Sequence, residues 1–324
     1  MALAASSQAA LLDAALKGVL ACPRCHGQLA KDSTARGLRC LGCQAGTVLV
    51  DGIPVFTGDQ RGLQVEEKAF RDRAASQVQG RGAVDLLNIV SRHHCVPLMG
   101  GYARKFRGRF SAWEWLLDIG TGYAWHWKDA PVSGARVIGI DMSLGNLLLA
   151  RRLFGESSRC ALLICADASR LPLAKGSIAG VWSVQAFQHF PEETFQQAQQ
   201  ELDRVLQKDF RMEFHHLNPA LCYRLLYRLQ GRRMPLKGRS GPFVTNRLSA
   251  SEWEGRWNSF RGGQFDMFHG YSELFFHPEL WIRPRPYPLG FERFLTRYAL
   301  RVSSSFARQV ILRLETRASR KNSS

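Results

Sequence analysis

Four apolar stretches, each ending in a turn or an acid, constrain the fold of this chain more than any other feature. They are "WEWLLDIG" (113–120), "ARVIGID" (135–141), "ALLICADASRLPL" (161–173) and "SIAGVWSVQAFQHF" (177–190), and "FRMEFHH" (210–216) reads as a fifth. Helical stretches stand between them: "SLGNLLLARRLF", then "PEETFQQAQQELDRVLQ" with apolar residues at helical spacing. This alternation predicts an α/β chain, a Rossmann-like, doubly wound, mostly parallel sheet whose ligand lies at the carboxyl ends of the strands.

The turns between these elements then have chemical tasks. In "LLDIGTGYAW" the glycines Gly120 and Gly122 flank Thr121, so a ligand can approach the backbone without meeting a side chain. Asp141 ends the second strand, where an acid accepts hydrogen bonds from ribose hydroxyls. Asp167 follows the third strand and can accept from an adenine amine beside the apolar Ala166 and Ala168. No lysine of a phosphate-cradling loop follows the glycines. A nicotinamide dehydrogenase also uses a glycine loop and a ribose acid, but its fingerprint is G-x-G-x-x-G; here Asp118 stands two residues before G-T-G.

The series "LLDIGTGYA…VIGIDMS…CADASRLPL…VWSVQAFQHF" resembles the class I S-adenosylmethionine-dependent methyltransferases. The resemblance implies that Asp118, Gly120 and Gly122 hold the methionine part of that cofactor, Asp141 the ribose and Asp167 the adenine. Thr121, Met142, Ala168 and Gln185 complete the expected cofactor set. The departure from the family pattern is Ala124 at the usual third glycine, followed by Trp125-His126-Trp127.

Upstream, "CPRC" (22–25) and "CLGC" (40–43) give C-x2-C, fourteen residues, C-x2-C. Each pair can form a tight turn with amides aimed at the thiolates, and the residues between can make a hairpin that sets the turns opposite each other. Cys22, Cys25, Cys40 and Cys43 then form a closed tetrahedral site for a structural Zn2+. A redox dithiol needs only one such pair. The stretch "CPRCHGQL…LRCLGC…VLVDGIPVF", about residues 18 to 57, looks like the small zinc-ribbon family that serves as activator subunit of tRNA and translation-factor methyltransferases.

The chain carries a net charge of +17 over 324 residues, with the excess after residue 200. Such a surface favours anionic partners, nucleic acid or an acidic membrane face, although a solvated basic face without a partner is the plainer account. No apolar run approaches the ~20 residues of a membrane span, and the N-terminus lacks the basic start of a secretion signal. A cytoplasmic enzyme is expected.

Methyl transfer to a hydroxyl needs a base, so candidates follow the fourth and fifth strands: His189 in "QAFQHFPEE", then His215 and His216. His189 matches the H-x-P pattern of small-molecule and quinone-type methyltransferases. Packed, hydrogen-bonded histidines are the competing reading for all three. A small-molecule or lipid-like acceptor is expected from that pattern and from the lack of an N/D-P-P-Y motif. An apolar lid is expected from the aromatics of residues 249–281. RNA base methylation, on rRNA or tRNA, is the alternative, resting on the basic C-terminal half and the ribbon. The expected organisation is a zinc ribbon with leading helix (1–57), a connector and active-site cap (58–110) in which His93, His94 and Tyr102 are ligand candidates, the cofactor-binding core (111–217), and an insertion with the final strands and basic region (218–324). "ARQVILRLE" is either the last strand or part of a basic amphipathic helix on a peripheral membrane surface.

Overall fold

The structure is a computed structural model and describes residues 8–32, 37–56, 63–79, 96–127, 134–154, 161–240, 243–274, 290 and 303–316. His93, His94 and the basic stretch 291–302 lie outside these residues.

In chain order the elements begin with helix α1 (Gln8–Leu16) and the ribbon strands β1 (Leu29–Asp32), β2 (Gly37–Cys40), β3 (Gly46–Val50) and β4 (Ile53–Val55). Helices α2 (Leu63–Gln79) and α3 (Val96–Arg107) follow. The core then alternates: β5 (Trp115–Ile119), β6 (Arg136–Asp141), α4 (Leu144–Phe154), β7 (Ala161–Cys165), β8 (Ile178–Val184), α5 (Glu192–Val205) and β9 (Leu206–Leu217). The C-terminal part holds α6 (Leu221–Leu229), the hairpin β10 (Lys237–Ser240) and β11 (Phe243–Asn246), α7 (Ala250–Trp257), β12 (Asp266–Leu274), α8 (Ser303–Phe306) and β13 (Ala307–Glu315).

Eleven strands form one sheet in the order β1-β2-β3-β4-β7-β6-β5-β8-β9-β13-β12. From β4 through β7, β6, β5 and β8 to β9 all neighbours are parallel. β13 runs antiparallel between β9 and β12. Every residue of β5 and β7 is buried, as their continuous apolar runs require when helices cover both faces. One face packs on α5 and α7 through Phe187, Phe195, Phe214, Trp253 and Trp257. The other packs on α3 and α4 through Phe106, Trp127, Leu147 and Trp182. "ARQVILRLE" is therefore the buried strand β13, and its apolar residues belong to the core rather than to a surface helix.

The ribbon is not a free appendage. β4 extends the core sheet by pairing Val55 with Cys165 of β7, and the Phe56 amide donates to the Cys165 carbonyl at 2.7 Å. Further along β7 the side-chain amide of Gln8 substitutes for a strand: its Nε2 donates to Leu163 O at 3.0 Å and its Oε1 accepts from Leu163 N at 3.2 Å. Among the described residues no helix is long and apolar enough to cross a membrane.

Candidate active site

The strand order reverses at β5, from which the chain steps to β6 and β7 on one side and to β8 and β9 on the other. Loops leaving β5 and β8 therefore diverge, and a crevice opens at their carboxyl ends. A cavity of about 450 Å³ lies there, lined by Gly120–Gly122 after β5, Asp141 and Met142 at the end of β6, Ala166–Ala168 after β7 and Val184–Ala186 at the end of β8.

The glycine turn is shaped by its neighbours. Gly120 has φ 68°, and a Cβ there would lie 2.3 Å from the Ala186 Cβ, so the two diverging loops touch only because this residue has no side chain. Gly122 has φ 55° and open space where a Cβ would stand. Ala124 continues the turn at φ 52°, the left-handed region in which alanine costs roughly 1 kcal/mol more than glycine. That is the physical content of the departure at this position.

Asp118 is fully buried below this turn and does not line the cavity. Its Oδ2 accepts from Thr121 Oγ1 at 2.5 Å, from Trp127 Nε1 at 2.8 Å and from His126 Nε2 at 2.8 Å. The expected direct hold on a ligand is thus replaced by a pin: one carboxylate ties both ends of the loop to β5. The bulky run Trp125-His126-Trp127 that follows Ala124 supplies two of the three donors.

Asp141 faces the cavity. Oδ2 accepts from the Gly122 amide and Oδ1 from the Ser143 amide, both at 2.9 Å, and burial pushes its carboxyl above the usual range. Asp167 forms a local turn, Oδ1 accepting from Ser169 N and Oγ at 2.8 Å, and presents itself to the cavity between Ala166 and Ala168. Thr121, Met142 and Gln185 also line it. Gln185 is the one expected residue with backbone strain: φ is 57°, and its amide donates to His215 O at 2.7 Å.

Of the three histidines only His189 lines the cavity. Its hydrogen bonds determine its tautomer. The Leu217 amide donates to Gln188 Oε1 at 2.8 Å, so the Gln188 nitrogen points toward His189 Nε2, 3.3 Å away, and donates to it. His189 Nδ1 then carries the proton and donates to Val244 O at 2.7 Å. Burial, with Arg71 and Arg247 nearby, lowers the imidazole to about 4, so the ring is neutral near pH 7.

His215 and His216 do not reach the cavity, for two different reasons. His216 is fully buried on the α7 face, stacked 3.8 Å from the Trp253 ring with neither nitrogen hydrogen-bonded. Burial depresses its basicity well below the ordinary range. His215 points to the opposite face, where Nε2 meets Glu213 Oε1 at 3.0 Å and the ring packs 4.7 Å from Trp182 and 5.3 Å from Tyr102. Tyr102, expected near the ligand, is a packing partner of this buried histidine. Of the aromatics expected as a lid, Trp253, Trp257, Phe260 and Phe265 are buried against β9 and α5, while Phe268 is exposed and Tyr271 half-buried on β12; none of the six lines the cavity.

Within the segment expected as connector and active-site cap (58–110), sequence reading named none of the α2 residues at the cavity. Glu67, Phe70 and Arg71 line the cavity, with Arg71 paired to Glu67 at 2.6 Å. Asp72 on the same helix accepts from Ser143 Oγ at 2.5 Å and from the Gly145 amide at 3.0 Å, capping α4. The signal was present in "EEKAFRDR", a helical i,i+4 charge pair beside an aromatic, but nothing local says which sheet it faces. Arg308 and Gln309 of β13 also line the cavity and were equally unforeseen.

The four cysteines converge as their spacing requires. All four Sγ atoms lie within 4.8 Å of one another, with Cys22 to Cys43 at 3.7 Å and Cys25 to Cys40 at 3.4 Å. A tetrahedron of Zn–S bonds of ~2.3 Å has edges of about 3.8 Å, so the donor set fits. The two turns are alike: His26 and Gln44 take φ 57° and 60°, and their amides donate to Cys22 O and Cys40 O. The amides of Arg24 and Cys43 approach Cys22 Sγ and Cys40 Sγ at 3.4 Å. A Cβ on Gly27 would stand 3.2 Å from Cys40 Sγ and 3.3 Å from Cys25 Sγ, so the cradle has no room for a larger residue there.

Comparison with known proteins follows the same lines. The methyltransferase domain family matches residues 117–212, from β5 into β9. This segment is a methyltransferase domain. The malonyl-[acyl-carrier protein] O-methyltransferase of Methylovorus sp. (strain MP688) is 38% identical over 113 residues, 32% of this chain and 37% of that protein. The protein of the same name from Gallionella capsiferriformans (strain ES-2) is 32% identical over 180 residues, 52% of this chain and 57% of that protein. The chain thus matches less than two thirds of the length of these curated relatives. A solved structure of 1,6-didemethyltoxoflavin-N1-methyltransferase from Burkholderia thailandensis is similar with a TM-score of 0.46 at 13% identity, over 85% of this chain and 97% of that one. All the cavity residues between Gly120 and Thr194 belong to the methyltransferase domain, and α2 and β13 supply its outer walls.

Proposed function

We propose that the chain transfers a methyl group from S-adenosylmethionine to a small-molecule or lipid-like acceptor. The observation that carries this reading is the cavity at the strand-order reversal, with an open glycine turn, Asp141 and Asp167 arranged along three successive strand ends. When bound, the cofactor supplies a sulfonium methyl, a strong electrophile. Asp141 accepts from two backbone amides and, on Oδ1, from the Asn146 side chain, which leaves a lone pair on Oδ2 for a ribose hydroxyl. Asp167 and the apolar Ala166 and Ala168 suit an adenine, and Gly120–Gly122 suit the amino-acid end.

The acceptor side is formed by His189, Phe190 and Arg308. His189, neutral and hydrogen-bonded through both nitrogens, is a poor proton acceptor for a hydroxyl and serves to position. An acceptor that arrives already ionised, such as a carboxylate, needs no base, and Arg308 suits its charge. The two malonyl-[acyl-carrier protein] O-methyltransferases support a small acyl acceptor over RNA. The four thiolates are proposed to hold a structural Zn2+; with four protein ligands no position is left for water, so the metal takes no part in the chemistry.

The test is incubation of the full chain with radiolabelled S-adenosylmethionine and two pools, an organic extract and total RNA. Label in the organic extract that disappears with Asp141→Ala supports the reading. Label confined to RNA overturns the acceptor class, and no label in either pool with no S-adenosylhomocysteine binding overturns the enzyme.

A further inference from the structure

Helix α6 carries a face that the methyl-transfer site does not use. Tyr223 and Tyr227 turn inward and pack with Ala220 and Met234. Leu221, Leu225 and Leu229, four residues apart and so on one side of the helix, are left outward with exposures of 55%, 49% and 84%. Arg224 and Arg228 flank them and are exposed, as are Arg232 and Arg233 just beyond the helix. From Phe214 to Ser251 the chain contains no Asp or Glu. A single exposed leucine is ordinary; three in a row, framed by arginines in a stretch of chain without an acid, make a surface of one chemistry.

We propose that this face of α6 seats the protein on an anionic lipid surface. The leucines form a convex ridge, and a bilayer conforms to a ridge by taking it among its acyl chains, whereas a folded partner needs a matching groove. The flanking guanidiniums lie at the level at which lipid phosphates meet them. The hairpin that follows α6 holds two residues of the cavity lining: His189 donates to Val244 O, and Asn246 Nδ2 donates to Phe190 O at 3.3 Å. A surface docked through α6 therefore borders the acceptor wall, which suits a lipid-like acceptor.

The experiment is sedimentation of the full chain with vesicles of phosphatidylcholine alone or mixed with phosphatidylglycerol. Binding is expected only to the mixed vesicles, weakened about tenfold by the double variant Leu225→Ser/Leu229→Ser and also weakened by Arg224→Gln/Arg228→Gln. Absence of binding to the mixed vesicles overturns the proposal. So does binding that the double leucine variant leaves intact, which assigns the attraction to charge elsewhere, and so does RNA that binds both proteins equally and displaces them from lipid. A fall in melting temperature of the leucine variant without vesicles also overturns it, because the leucines are then covered by the chain's own residues. Sedimentation requires no methyl transfer, so its outcome is independent of the enzymatic test.

Discussion

His189 shows how a residue's neighbours decide its chemistry. Its unfolded value is ~6.5 and its folded value about 4, lowered by burial and then by Arg71 and Arg247. The sign follows: as pH falls from ~6.5 towards 4 the unfolded chain takes up a proton that the folded one refuses, so this group costs stability on acidification and nothing above pH 7. For activity the expectation is a turnover profile with no ionisation near 6.5. Replacement by Asn, which keeps a donor for Val244 O, should lower turnover less than replacement by Ala, for which a loss of about tenfold is expected from misplaced loop geometry. An inflection near 6.5 in the wild type that vanishes in His189→Asn would show a base instead. The candidacy of His189 was legible from its place after the fourth strand. Its tautomer was not, because that depends on Leu217 and Val244, 28 and 55 residues along the chain.

Among the elements, β9 is where periodicity misleads least about fold and most about function. Alternate residues point to opposite faces, so the adjacent pair His215-His216 is split between two cores. On one face Glu213 meets His215 and, at 2.7 Å, Arg313 of the neighbouring β13. Burial raises the Glu213 carboxyl, but His215 and Arg313 outweigh it and bring it down to about 2. The stability this arrangement contributes is fully present above the unfolded value of ~4.3 and is lost as pH falls towards 2. Glu213→Gln should destabilise by about 3 kcal/mol, the low end for breaking a buried pair because Arg313 keeps part of its side chain in water, and urea unfolding at pH 7 reads it. An unchanged midpoint would assign the cluster no net worth. The ribbon is the opposite case, legible to the ligand: C-x2-C turns are local, so spacing alone carries the geometry. One zinc per chain is expected by metal analysis, and Cys40→Ser should release it.

At the scale of the molecule, the alternation of strands and helices was sufficient for the five strands β5 to β9, but two features were out of its reach. One is the docking of α2, whose cavity residues are set by tertiary contact; the other is the continuation of the core sheet into the ribbon. Ligand linkage tests the whole: S-adenosylhomocysteine at a hundred times its dissociation constant should add about 2.7 kcal/mol and raise the melting temperature by roughly 5 °C. No shift at millimolar concentration would remove the cofactor assignment. The seam between ribbon and core also has a consequence for synthesis. Val55 and Cys165 are about 110 residues apart, so at ~5–20 residues per second the ribosome delivers β7 some 5–20 s after β4. A finished ribbon, closed early by its own short-range hairpin, waits as a template with one open edge and receives β7, the edge strand of the nascent core. With the four thiolates holding zinc as proposed, cells short of the metal would lose this protein during translation, as aggregates of a core with a bare edge.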